Sequence, residues 1–161
     1  MKEIKLTQGR VAKIDDEDYP LVSQFKWYYH STGYAFTGDG QGGKLRMHYA
    51  IMARLPKYQV DHINGDRLDN RRQNLRHVKA QYNCWNKGLP ANNTSGYKGV
   101  SWDKKTSRWR ARIKIDYIQY NLGGFDNAVD GARAYNEAAL KHYGKYTRLN
   151  VLPGMEIDLD A

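Results

Sequence analysis

The sequence predicts an α+β chain made of two small units: a strand–loop–strand–helix unit, then a three-stranded antiparallel sheet packed on one helix. Three observations predict it. Residues 108–115 (RWRARIKI) alternate cation and apolar residue without a break, the period-2 signature of a half-buried strand. Residues 127–143 place Ala128, Ala132, Tyr135, Ala139 and Tyr143 on one helical face. Between the two halves, residues 88–96 (GLPANNTSG) are polar with Gly and Pro, the composition of a linker.

The first unit is expected over residues 1–88. Residues 3–14 read as strand broken at Gln8-Gly9, and the acids Asp15 to Asp18 mark the start of a short helix. Phe25, Trp27 and Tyr29 alternate, which predicts a strand over 23–29. Gly33 and the glycines of 38–43 are turns. Residues 46–55 read as a helix stopped by Pro56, 59–62 as a strand, Asn64-Gly65-Asp66 as a turn, 75–78 as the returning strand and 79–87 as a closing helix. In the second unit, 96–150, strands over 97–102 and 117–122 flank the alternating one. A helix then begins at a cap on Asp126 or Asn127. Residues 89–95 are the linker and 151–161 an acidic tail.

The chain has 161 residues and a formal charge of +9. Residues 1–88 and 89–150 each carry +6, and the tail carries −3. Both halves of the body are therefore basic, which favours a polyanionic partner. No basic amphipathic helix is evident, so nucleic acid is expected rather than membrane. No apolar run approaches the roughly 20 residues of a membrane-spanning helix, and the start, MKEIKLTQGR, lacks a signal-peptide core. One cysteine, Cys84, excludes an internal disulfide and a multi-cysteine zinc site, so a cytoplasmic setting is expected.

The chemistry is concentrated in residues 60–83, VDHINGDRLDNRRQNLRHVKAQYN. Hydrolysis of a phosphodiester needs a group that deprotonates water, charge neutralisation at the phosphate and stabilisation of the leaving oxygen. A neutral imidazole performs the first near pH 7; a divalent cation performs the others. A hard cation such as Mg²⁺ takes oxygen ligands and keeps several waters. Asp61 and Asn83 offer a carboxylate and an amide oxygen, provided a hairpin and helix bring them together. The bland reading is an Asx-rich loop whose polar residues serve turns.

The spacing of Asp61-His62, Asn74-Leu75 and Asn83, with Arg46-Met47-His48 upstream, resembles the HNH endonucleases, and closely the phage and intron-encoded homing type. The resemblance implies a ββα-metal fold, its core at about 46–88, and cleavage of double-stranded DNA to 5′-phosphate and 3′-hydroxyl ends. It implies His62 as general base and Asp61 and Asn83 as metal ligands, with Mg²⁺ expected first and Mn²⁺ as the alternative. Asn74 is implied as the residue that pins the loop. The last position of the pattern is Asn83 instead of histidine, which puts a third protein ligand in doubt. Among the surrounding cations, Arg71 and Arg72 are expected at phosphate, against the reading of a solvated charged face. His48 is expected either near the site or in packing, His77 in a structural role, His30 and His142 exposed, and Cys84 buried.

Residues 96–150 resemble the plant APETALA-type (ethylene-response-factor) DNA-binding domain. The resemblance rests on Tyr97-Lys98-Gly99-Val100, Trp109 to Ile113, Leu122 to Phe125, Ala132 to Ala139 and Leu149-Asn150. It implies a sheet that enters the major groove, with Lys98, Arg112 and Lys114 at contacting positions. Arg108 and Arg110 share their strand face. Ser101 and Asp103 stand where the plant domain has arginines, and Asn121 where it has a contacting Trp, so the plant target sequence is not implied. No obligate protein partner is indicated, and monomer or dimer is left open. The competing readings are a non-catalytic, transcription-factor-like DNA-binding protein and an RNA-binding protein. The second suffers from the lack of a row of stacking aromatics.

Overall fold

The computed structural model describes residues 1–155. The acids of the expected tail, Glu156, Asp158 and Asp160, lie outside the described residues. The fold is α+β and divides into two compact units, residues 1–84 and 85–161.

The first unit opens with a hairpin of β1 (Lys2–Lys5) and β2 (Val11–Ile14), joined through a 3-10 turn that holds Gln8 and Gly9 at positive φ. The acidic run forms a 3-10 turn, Asp16–Asp18, leading into α1 (Tyr19–Val22) with Pro20 in its first turn. The strand expected over 23–29 shrinks to β3 (Tyr28–Tyr29). Here the two-residue spacing of aromatics is not a pleat. Trp27 turns inward after α1, donates Nε1–H to the Val22 carbonyl at 2.8 Å and packs edge-on against Phe25. Two strands not anticipated, β4 (Ala35–Gly38) and β5 (Lys44–Arg46), complete a β3–β4–β5 sheet, with the glycine cluster as their turn. The helix expected over 46–55 is only α2 (Met47–Ile51); Met52 is already extended, well before Pro56. Met47, Ile51, Trp27, Ile14 and Val22 meet in the core of this unit.

The hairpin of β6 (Gln59–His62) and β7 (Leu75–Val78) follows, with Asp61 opposite Arg76 and His62 opposite Leu75. The closing helix α3 (Ala80–Trp85) is shorter than expected, and Cys84 is exposed on it rather than buried. The loop between β6 and β7 leans on the N-terminal hairpin: Lys13 N–H donates to the Leu68 carbonyl and Asn70 N–H to the Lys13 carbonyl, both at 2.8 Å.

In the second unit β8 (Val100–Asp103), β9 (Arg108–Ile115) and β10 (Ile118–Phe125) form an antiparallel sheet in the order β10–β9–β8. The first strand starts at Val100 instead of 97, because Gly99 turns the chain at φ +80° under the Tyr135 ring. A Cβ on Gly99 would lie 2.1 Å from that ring. β10 runs past 122 to Phe125 across a bulge between Asn121 and Gly123. Helix α4 (Ala128–Tyr143) is capped by Asn127, whose side chain accepts from Asp130 N–H. Its Ala132, Tyr135, Ala139 and Tyr143 face are buried with Val100, Ala111 and Ile113 of the sheet. No helix among the described residues is long and apolar enough to cross a membrane.

Candidate active site and DNA face

β6 carries the two central residues of the candidate site. Successive residues of a strand send their side chains to opposite faces. Asp61 is buried and accepts from Arg76, whose Nε and NH2 both donate to its Oδ2 at 3.0 and 2.9 Å. Gln59 shares that face, and its Oε1 accepts from Asn83 Nδ2 at 2.7 Å. Helix α3 thus delivers Asn83 to the side of the strand that holds Asp61. His62 takes the other face, into an aromatic nest. Its ring centroid lies 5.0 Å from that of His48, edge to face, and 5.8 Å from that of Tyr34.

The loop beyond β6 is held by its own asparagines. Asn74 Oδ1 accepts from Asn64 N–H at 2.9 Å and Asn74 Nδ2 donates to the Asp69 carbonyl at 2.7 Å, so one side chain ties both arms of the loop. Asn70 is fully buried. Its Nδ2 donates to the Leu68 carbonyl at 3.1 Å, which leaves Oδ1 as the atom 3.3 Å from His62 Nε2. An acceptor there requires the ring proton on Nε2 and puts the basic lone pair on Nδ1. Burial lowers the pKa of His62, against the raising influence of the Asn70 hydrogen bond and of Asp61, Asp66 and Asp69. His48 is lowered to about 3 by burial, then by His62 and Arg46. Both imidazoles are neutral at pH 7.

The two arginines expected at phosphate are engaged in this structure. Arg71 forms a two-point pair with Asp69 through Nε and NH2 at 2.8 and 2.7 Å. Arg72 does the same with buried Asp18, at 3.0 and 2.7 Å, and also meets Glu17. Its N–H donates to Asp15. Asp15, Glu17 and Asp18 are the one place among the described residues where three potential metal-binding side chains converge within 4.8 Å, and Arg72 already answers their charge. His77 Nε2 lies 2.8 Å from the Ala53 carbonyl, a structural contact. His30 is bound to Thr32 and packed on Phe36, so it is no bystander, whereas His142 is exposed.

In the second unit the outward face of the sheet carries Arg108, Arg110, Arg112 and Lys114. Its register adds Ser101, Asp103, Gln119 and Asn121 as neighbours, because directly opposed residues share a face. The strand alone shows no acid among its cations, but the folded sheet supplies two. Asp103 pairs with Arg110, and Asp126 pairs with Arg108 at 3.0 Å. Arg112 and Lys114 form no ion pair among the described residues. They border a depression of about 290 Å³ with Ser101 and Gln119. Lys98, expected at a contacting position, points its ammonium at the Trp85 carbonyl, 2.6 Å away.

Sequence reasoning missed Asn70, Tyr34 and Gln59 around the site, and Gln119 on the sheet face. The signal for Gln119 was present, since the alternation of β9 fixes which residues of a paired strand share its outer face. Asn70 gave no such signal in a loop already rich in Asn and Asp.

The arrangement is a β-hairpin followed by a short helix, with an oxygen donor on each and a histidine at the strand end. Residues 53–84 match the family described as HNH endonuclease. Protein 3.8 of Escherichia phage T7 is 40% identical over 73 residues, covering 45% of this chain and 60% of that protein. An uncharacterised HNH endonuclease of Acanthamoeba polyphaga mimivirus is 27% identical over 149 residues, covering 89% of this chain and 76% of that one. The C-terminal region is similar to plant factors: an AP2-like ethylene-responsive transcription factor of Arabidopsis thaliana is 40% identical over 65 residues, which is 40% of this chain and 13% of that protein. No solved structure matches. The chain thus combines a region similar to HNH endonucleases with one similar to AP2-type domains. The first supports a nuclease, the second DNA binding.

Proposed function

We propose that the protein is a metal-dependent endonuclease of the homing type that hydrolyses phosphodiester bonds in double-stranded DNA, leaving 5′-phosphate and 3′-hydroxyl ends. The observation that carries this reading is the placement of His62: buried at the end of β6, its Nε2 3.3 Å from Asn70 Oδ1, with burial lowering its pKa. That is an imidazole prepared to accept a proton from water. Asn70 keeps the ring in one tautomer, and Asn74 keeps the loop that carries Asn70 in place. Asp61 and Asn83 are the residues that would hold a divalent cation. Their donors are hard oxygens, and Asn83 reaches from α3 to Gln59, which shares the β6 face of Asp61, a set that suits Mg²⁺ with Mn²⁺ as substitute. Such a cation supplies charge neutralisation at the phosphate and stabilises the leaving oxygen.

The remaining assignments belong to the same reading. The first compact unit, within the 1–88 expected from sequence, is the nuclease part, and residues 96–150 of the second are the DNA-gripping part, through Arg112 and Lys114 on the open sheet face. The setting is the cytoplasm of a bacterial or phage-infected cell. One site per chain makes a nick the expected product of a monomer. The test is incubation of supercoiled plasmid with Mg²⁺. The chain relaxes it, and His62→Ala abolishes relaxation while retaining DNA binding; undiminished cleavage by that variant overturns the mechanism. The plant-factor similarity favours one alternative, a non-catalytic DNA-binding protein, which predicts binding without cleavage by the unaltered chain under every divalent cation tried.

A further inference from the structure

We propose that a pocket in the C-terminal unit, bounded by Lys87, Lys98 and Arg148, is a binding site for a phosphate group. The pocket has a volume of about 350 Å³, and Gly88, Gly96 and Asn150 also line it. No carboxylate among the described residues does. Elsewhere in this unit three arginines are matched with acids, Arg108 with Asp126, Arg110 with Asp103 and Arg133 with Asp130, while Arg112 lies open on the sheet face. Here three cations meet with none among the described residues, and a multiply charged oxyanion is the ligand that balances them.

Lys87 and Arg148 are exposed, but the third cation stands in a built position. Lys98 is half-buried, and its backbone is clasped on both sides by Asn150: Lys98 N–H donates to Asn150 Oδ1 at 2.6 Å and Asn150 Nδ2 donates to the Lys98 carbonyl at 3.1 Å. Asn150 is buried and held in turn by Asn136 through two bonds of 2.8 Å. The Trp85 carbonyl accepts from Lys98 Nζ at 2.6 Å and from Arg148 N–H at 3.3 Å, and the Trp85 ring is stacked on Tyr143. One neutral carbonyl thus ties the Lys98 side chain to the Arg148 backbone. Burial, then the nearby Arg148, bring the Lys98 ammonium down to about 8. The wall facing these groups is Lys87 to Leu89 and Gly96, the two ends of the segment that composition marks as a linker. Its glycines leave bare backbone beside the pocket; a Cβ on Gly88 would already touch Arg148 NH1 at 3.6 Å.

The phosphate has two sources, the DNA backbone or a free phosphate group, and one experiment on the full chain separates them. In the first arm, inorganic phosphate is titrated against chloride at constant ionic strength and followed by amide NMR. Shifts are expected at Gly88, Gly96 and Lys98, and their loss in Lys87→Gln/Arg148→Gln. In the second arm, duplex affinity is measured against salt for the same double variant and for a charge-matched control, Lys104→Gln/Lys105→Gln. A backbone phosphate in the pocket lowers the slope by about 0.9 beyond the control. Phosphate shifts with an unchanged slope assign the site to a free phosphate group. An excess slope change without them assigns it to backbone. No phosphate-dependent shift together with a slope no different from the control overturns the proposal. Neither arm reads cleavage, so the outcome is separate from that of the nuclease reading.

Discussion

Asn70 Oδ1 lies 3.3 Å from His62 Nε2, between a buried amide and a buried imidazole, and in the proposed mechanism it orients that ring. Asn70→Leu removes the acceptor with little change in volume. Cleavage is expected to fall by about 10–100-fold, the usual range for partners that orient a site ligand, with DNA affinity unchanged. Asn70→Asp keeps an acceptor and adds charge. It raises the His62 pKa, so the acidic limb of the pH–rate profile moves to higher pH. An unshifted limb in Asn70→Asp, or full activity in Asn70→Leu, removes Asn70 from the mechanism.

His48 makes stability depend on pH. Unfolded, its imidazole titrates near 6.5; folded, burial, then His62 and Arg46, hold it at about 3. Between those values the unfolded chain binds the extra proton, so the stability is whole above pH 6.5 and declines as pH falls toward 3. One such group contributes a slope of about 1.4 kcal/mol per pH unit. Urea denaturation of His48→Phe at pH 7 and pH 5 is expected to give a flatter dependence than the parent chain, and equal slopes count against it.

Arg72 is better understood as a brace than as a phosphate contact. Its removal leaves Asp18, buried beneath it, without its two charge-assisted bonds. Arg72→Ala should cost about 1–3 kcal/mol of stability. Thermal melting reads this directly. A variant with unchanged melting but weakened DNA binding would restore the phosphate role.

On the sheet face, Arg112→Gln and Lys114→Gln should each weaken duplex binding and reduce its salt slope by about 0.9. Arg110→Gln should do less, since Asp103 already holds that guanidinium. Equal effects for all three would mean that the ion pair opens on binding.

Gly99→Ala tests the close approach of α4 to the sheet. The new methyl meets the Tyr135 ring at 2.1 Å from a backbone at φ +80°. Overpacking and backbone strain each cost about 1–3 kcal/mol. A melting temperature equal to that of the parent would show that Tyr135 yields freely.

Legibility in the sequence followed the range of the interaction. β9 and α4 were plain because each buries one face, and period 2 or 3.6 records it residue by residue. Asp61, His62, Asn74 and Asn83 stood out because short spacings within one hairpin and helix set their positions. The brace on the loop was not readable: Asp15, Asp18 and Lys13 meet Arg72, Leu68 and Asn70 across more than fifty residues of chain, with no local pattern to mark the pairing. The same holds for the His48 ring against His62. The acids opposite Arg108 and Arg110 were hidden because pairing them needs the neighbouring strand and the turn after β10. Strand 23–29 failed for a different reason, since aromatic spacing records burial without saying which backbone achieves it.

The hairpin of residues 2–14 has a practical consequence. Anyone trimming this protein to the stretch that bears the recognisable motif would keep every residue named as chemical and discard the scaffold that sets one of them. The fragment would retain the signature and lose the poise of its histidine. Transplanting the nuclease into a new fusion therefore requires carrying the first eighteen residues along with it.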